Sequence, residues 1–123
     1  MDSPIRGARI AGISLDCADH RALGAFYARL LNSAVLWQTQ TATGVQAGDY
    51  KLVAQEVPDY VQPMWPGTSI VHLDLTCEPA DLPRFQELAL QHGAALVLDQ
   101  PDLRWTVMLD PAGHPFCLTP LVG

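Results

Sequence analysis

The chain has no apolar run approaching the roughly 20 residues that a membrane-spanning helix requires, so no membrane partner is expected. Clustered basic charge is also missing. The seven basic residues, Arg6, Arg9, Arg21, Arg29, Lys51, Arg84 and Arg104, are scattered, and the net charge is -6. A nucleic-acid partner needs Lys and Arg gathered on one surface, and none is expected here. Cysteine is scarce, odd in number at three, and never in a Cys-x-x-Cys pair. Free, reduced thiols follow from that count better than a disulfide framework does. Met1 to Arg6 carries no secretory apolar core, which makes the cytoplasm the expected location. There is no glycine-rich phosphate loop and no nucleophile-elbow motif. What is present is a folded domain's composition, 49% hydrophobic and 16% charged over 123 residues. That length suits one domain with a substantial core.

The chain also contains itself twice, at a spacing of about sixty residues. Gly12-Ile13-Ser14-Leu15-Asp16-Cys17 aligns with His72-Leu73-Asp74-Leu75-Thr76-Cys77. Phe26 answers Phe85, Ala34-Val35-Leu36 answers Ala95-Leu96-Val97, and Ala47-Gly48 answers Ala112-Gly113. One supersecondary unit built twice leaves a space between its copies where a small molecule can bind.

Alternation over Arg9 to Cys17 predicts a half-buried strand, Ile13 and Leu15 on one face, Gly12, Ser14 and Asp16 on the other. Asp19 is placed to cap the helix that follows, whose apolar stripe is Leu23, Phe26, Tyr27 and Leu30. Ala34 to Thr39, Gly44 to Ala47 and Tyr50 to Gln55 read as three further strands, the last two joined at the Gly48-Asp49 turn. Val57 to Thr68, with Pro58, Pro63 and Pro66 among Tyr60, Met64 and Trp65, reads as an ordered connection. The second copy begins with a strand over Ile70 to Cys77, Val71, Leu73 and Leu75 opposing His72, Asp74 and Thr76. Its helix carries Leu82, Phe85 and Leu88 and stops at Gly93. Strands near Ala95–Leu98, Trp105–Leu109 and Pro115–Thr119 complete it, with a tight turn at Asp110-Pro111-Ala112-Gly113. The expected architecture is a single α+β domain over residues 1–123. Module one spans about 8–56, a linker 57–68, and module two about 69–121.

The strand before Asp19, the Ala25-Phe26-Tyr27 helix, His72-Leu73-Asp74-Leu75 and the closing Asp110-Pro111-Ala112-Gly113-His114-Pro115-Phe116-Cys117-Leu118 together resemble the vicinal oxygen chelate superfamily. This is the superfamily of glyoxalases, bleomycin-resistance proteins and extradiol dioxygenases. With Pro58-Asp59-Tyr60 and Trp65-Pro66, the chain is similar to its glyoxalase-like domain group. The resemblance implies two βαβββ modules in a curved, cup-like mixed sheet with helices outside, often completed by a homodimer. It also implies a divalent metal held from four strands. Carried over, those positions fall on Gly12, on Leu52 or Val53, on His72 and on Cys117. Two of the four have no donor, so no cofactor is expected, and His72 with Cys117 is the residual metal candidate.

Strand parity then points Gly12, Ser14, Asp16, His72, Asp74, Thr76, Cys117 and Thr119 into the cup, with Trp37, Trp65 and Trp105 as candidate walls. His72 is the expected catalytic residue, with Asp74 or Asp16 orienting it. Ser14, Trp37, Trp65, Thr76, Trp105 and Cys117 are the expected ligand contacts. His20 and His92 are expected at exposed helix ends, without a role. Three functions compete. The first is a homodimer that binds a small apolar or aromatic molecule without the usual metal. The second is a metal-independent isomerase or lyase that moves a proton of a small carbonyl compound through His72. The third is a metal-dependent lyase or dioxygenase with a reduced ligand set.

Overall fold

A computed structural model describes residue 6 and residues 10–68 and 71–119. Its elements follow the duplicated order. Module one is β1 (Gly12–Cys17), α1 (His20–Leu30), β2 (Val35–Gln38), β3 (Ala42–Ala47) and β4 (Tyr50–Glu56). Module two is β5 (Leu73–Leu75), α2 (Leu82–Gln91), β6 (Ala95–Leu96), β7 (Thr106–Leu109) and β8 (Pro115–Leu118). A short 3₁₀ turn, Pro79–Asp81, leads into α2. The predicted strand starts at Arg9 and Ile70 lie outside the described residues.

Each module forms its own four-stranded mixed sheet, in the orders β1-β4-β3-β2 and β5-β8-β7-β6. The first strand of each pairs parallel with the last, and the other pairs are antiparallel. The identical order is the structural form of the sequence repeat.

Local chemistry accounts for the elements. The Asp19 side chain accepts the backbone N–H of Ala22 at 3.1 Å, which caps α1 as its position predicts. Leu23, Phe26, Tyr27 and Leu30 are all buried, and each such side chain contributes about 1.5–3 kcal/mol by leaving water. They do not serve module one alone. The Phe116 ring of β8 lies 5.9 Å from that of Phe26 and 6.4 Å from that of Tyr27. One core therefore runs through both modules, and Leu73, Leu75, Leu82, Phe85 and Leu88 pack at its margin.

Two expectations need correcting. His20 is not exposed: it is 3% accessible, with Nδ1 2.8 Å from the Thr43 hydroxyl and Nε2 3.1 Å from the Gln40 carbonyl. A carbonyl only accepts, so Nε2–H donates to it and Nδ1 accepts from Thr43 in the neutral ring. The first turn of α1 sits over β3, which turns a helix-end residue inward. Ile13, expected to pack on the helices beside Leu15, remains 37% exposed on β1, the outer strand of its sheet.

A buried polar clamp joins the modules. The Tyr27 hydroxyl donates to Asp110 Oδ2 at 2.7 Å, and Asp110 Oδ1 accepts the backbone N–H groups of Ala112 and His114, each at 2.9 Å. Gly113 closes the same turn at φ 89°, a conformation suited to glycine. Burial raises the Asp110 carboxyl above its ordinary range, while the bonds from Tyr27 and His114 pull it back.

Candidate functional site

The site is built from strand parity and register. His72 immediately precedes β5 and Asp74 lies within it, two residues on, so both face the side of the sheet away from the Leu73–Leu75 core face. In the parallel pairing of β5 with β8, Asp74 stands opposite Cys117, and Cys117 stands opposite Val107 in β7. Paired residues share a face. Donors from two strands are thereby placed side by side, with an apolar neighbour on the third.

The donor atoms of His72, Asp74 and Cys117 all lie within 4.8 Å of one another. His72 Nε2 is 3.3 Å from Asp74 Oδ1, and the two side chains are 41% and 46% accessible. Cys117 is buried, and burial, followed by the neighbouring Asp74 carboxylate, pushes its thiol up to about 11.

Around these groups is a cavity of about 360 Å³, within the size range of small-molecule sites. Trp65 and Trp105 form its aromatic walls, with Pro101, Val107 and Thr119. The Trp65 and His72 rings meet edge to face at 6.4 Å. Gln100 sets the loop that carries Pro101. Its side chain donates to the Val97 and Val107 carbonyls at 2.6 and 2.9 Å and accepts from the Val107 N–H at 2.8 Å, so it substitutes for a strand partner.

Of the expected site residues, this cavity gathers His72, Asp74, Cys117, Trp65 and Trp105. Ser14 and Asp16 lie elsewhere. They border a separate cavity of about 430 Å³ together with Ile13, Tyr60, Val71 and His114. Trp37 lies on β2 over Gly44, where a Cβ would collide with its ring. Thr76 falls just past the end of β5 and is exposed. Pro101 and Val107 were not anticipated. The alternation of β7 carried the signal for Val107, whereas Pro101 depends on the Gln100 bridge, which sequence spacing does not reveal.

Register also resolves which β4 residue is equivalent to Cys117. Ser14 pairs with Val53 as Asp74 pairs with Cys117, while Leu52 is buried in the core. Gly12, Ser14 and Val53 thus hold in module one the places of His72, Asp74 and Cys117 in module two.

A repeated βαβββ unit with paired mixed sheets and polar groups on the face away from the helices defines a paired-module α+β class. Within that class, residues 12–119 match the glyoxalase-like domain model, and the chain belongs to that family of the vicinal oxygen chelate superfamily. Solved structures agree in fold. A glyoxalase/bleomycin resistance protein/dioxygenase family enzyme from Burkholderia phytofirmans PsJN superposes with a TM-score of 0.75 at 14% identity, covering 90% of this chain and 97% of that one. The fosfomycin resistance protein FosX from Mesorhizobium loti gives 0.71 at 16% identity, covering 97% and 96%. FosX from Listeria monocytogenes, a mutant complexed with Mn(II) and 1S,2S-dihydroxypropylphosphonic acid, gives 0.74 at 16% identity, covering 94% and 90%. No curated protein matches.

The superfamily's four-strand divalent site does not fit the residues present. Gly12 has no side chain, and its backbone approaches the Lys51 carbonyl too closely for a Cβ. Val53 offers only carbon. A hard ion held by oxygen and imidazole from both modules has no donor from module one at these positions.

Proposed function

We propose that this protein binds a small apolar or aromatic molecule in the cavity beside β5 and β8, without the four-strand metal set of its superfamily. The observation that carries this reading is the lining. Trp65, Trp105, Pro101 and Val107 supply apolar wall, and His72, Asp74 and Cys117 supply a few convergent polar groups at one place. Among the described residues no Lys or Arg lines the cavity, and Arg104 stacks on the Trp105 ring at 5.1 Å, so the lining itself favours an apolar ligand over a phosphonate such as the one in the Listeria complex.

A homodimer belongs to the same reading. Among the described residues, every one that lines the cavity comes from module two or the linker, and none from module one of the same chain adds wall. A second copy can supply one, and the exposed Ile13, Val35, Leu36 and Trp37 of module one provide apolar surface for it. The cytoplasm is the location in this reading, and three free thiols suit it.

The test is native mass spectrometry of untagged protein, followed by thermal shifts with a panel of small aromatic compounds. The reading predicts dimer mass and at least one compound that raises Tm through preferential binding to the folded state. A monomer unaffected by the whole panel contradicts it.

The 3.3 Å approach of His72 to Asp74 favours one second reading, a metal-independent proton transfer with His72 as the base and Asp74 orienting it. Asp16, in the other cavity, takes no part in that arrangement. Turnover of a small carbonyl compound that disappears in His72→Ala with the fold intact would establish it, and unchanged turnover would exclude it.

A further inference from the structure

One stretch of the cavity wall is not fixed by the core. Pro101 and Trp105 line the cavity from the segment between β6 and β7. No side chain of residues 98–105 is buried. The two large aliphatic residues of that segment, Leu98 and Leu103, are 97% and 101% accessible, so they give it no apolar anchor on the module. The ladder beneath it is short. β6 pairs with β7 through Ala95 with Leu109 and Leu96 with Met108, followed by a bond from the Val97 N–H to the Val107 carbonyl at 3.3 Å.

The Gln100 carboxamide continues that ladder. Nε2 donates to the Val97 and Val107 carbonyls at 2.6 and 2.9 Å, and Oε1 accepts the Val107 N–H at 2.8 Å. The orientation of the amide is forced, because carbonyl oxygens only accept and the two of them must meet its NH₂ end. A carboxamide supplies two donors and an acceptor at once. An ionised Glu of the same length supplies acceptors only. Gln100 is therefore matched in chemistry to the backbone of Val107, whose own buried side chain lines the cavity.

A second hold lies further along the segment. Asp102 Oδ1 accepts the Arg104 backbone N–H at 2.8 Å and its Nε–H at 3.0 Å, and Oδ2 accepts from Nη2 at 2.8 Å. The guanidinium in turn lies 5.1 Å from the centroid of the Trp105 ring. The Arg104 side chain is 67% accessible, and an ion pair so open to water holds weakly. The three partly buried bonds of Gln100 are the stronger restraint.

We infer that Gln100 is a positioning residue for the cavity: its carboxamide fixes the segment that carries Pro101 and Trp105, so ligand affinity depends on a side chain outside the lining. The inference rests on the binding reading above and adds to it the residue that sets the aromatic wall. The mechanism is preorganisation. The segment is ordered before a ligand arrives, so its ordering does not subtract from binding.

The test is a fluorescence titration of the untagged full chain with N-phenyl-1-naphthylamine, a neutral aromatic probe. Gln100→Ala and Gln100→Glu should each weaken probe binding about tenfold at about pH 7.5, with the fold intact by circular dichroism. Leu98→Ala, at an exposed position outside the lining, should bind as the parent does. Gln100→Glu carries the decisive readout. Its carboxylate would face two carbonyl oxygens, which disfavours the charged form and raises its pKa above the ordinary glutamate value of about 4.3. Protonation restores one donor beside an acceptor. Lowering the pH to about 5.5 should therefore recover affinity about threefold or more, relative to the parent at the same pH. Gln100→Ala has no such group and should not recover. Asp99, Asp102, His72 and Asp74 are common to all these proteins, so the ratio to the parent removes their titration. Parent-like affinity in both Gln100 variants, or no recovery in Gln100→Glu, overturns the inference and leaves the cavity reading standing. A parent protein that binds neither this probe nor any compound of the thermal-shift panel overturns both.

Discussion

Tyr27 shows how a single hydroxyl can matter to the whole molecule. It sits on module one, is buried, and donates to Asp110 of module two at 2.7 Å. Tyr27→Phe removes that donor and leaves Asp110 Oδ2 buried without it. A loss of about 1–3 kcal/mol is expected in urea unfolding, the range for an unsatisfied buried acceptor. A second residue-scale effect concerns pH. Burial pushes the Cys17 and Cys117 thiols from 9.0 to about 11. Their folded values are raised, so their contribution to stability is fully present below about pH 9 and is lost as pH rises through about 11. The urea midpoint should therefore fall over that interval, and less steeply in Cys17→Ala, which has no thiol at that position to ionise. An equal slope in both proteins would count against the thiol assignment.

At the scale of elements, α1 packs closely on β3. Gly24 faces Thr43, and a Cβ at Gly24 would collide with the Thr43 side chain, which is itself bonded to His20. Helix propensity alone would make Gly24→Ala favourable by up to about 1 kcal/mol. The collision is expected to win, with a net loss of about 1–3 kcal/mol from overpacking and the disturbed His20–Thr43 bond. Thermal unfolding of the variant decides the sign. The elements themselves were largely legible in the sequence: the Asp19 cap, the Leu23–Leu30 stripe, the Gly48 and Gly113 turns and every strand of the repeat follow from local chemistry. His20 was not legible, because its burial depends on which strand lies under the helix. The same limit applies to Ile13. Its alternation is correct, but alternation does not say where a sheet ends.

Duplication dominates the whole molecule. One βαβββ plan, written twice, yields two sheets of identical order sharing a single core. The copies have diverged where chemistry can occur: Gly12, Ser14 and Val53 in one stand where His72, Asp74 and Cys117 stand in the other. Parity in the sequence put His72, Asp74 and Cys117 on one face, and the structure brings their donor atoms within 4.8 Å of one another. Parity could not tell that Ser14, Asp16 and Trp37 would lie away from that cavity, because separation between modules is a property of the packed chain. In the proposed function, binding belongs to the second module's face. The most direct measurement is a fluorescence titration with an aromatic compound identified by thermal shift, comparing the parent protein with Trp65→Ala and Trp105→Ala. Loss of aromatic wall should weaken binding about tenfold in each variant, near 1.4 kcal/mol. Unchanged affinity in both would place the ligand elsewhere on the protein and rule out this cavity.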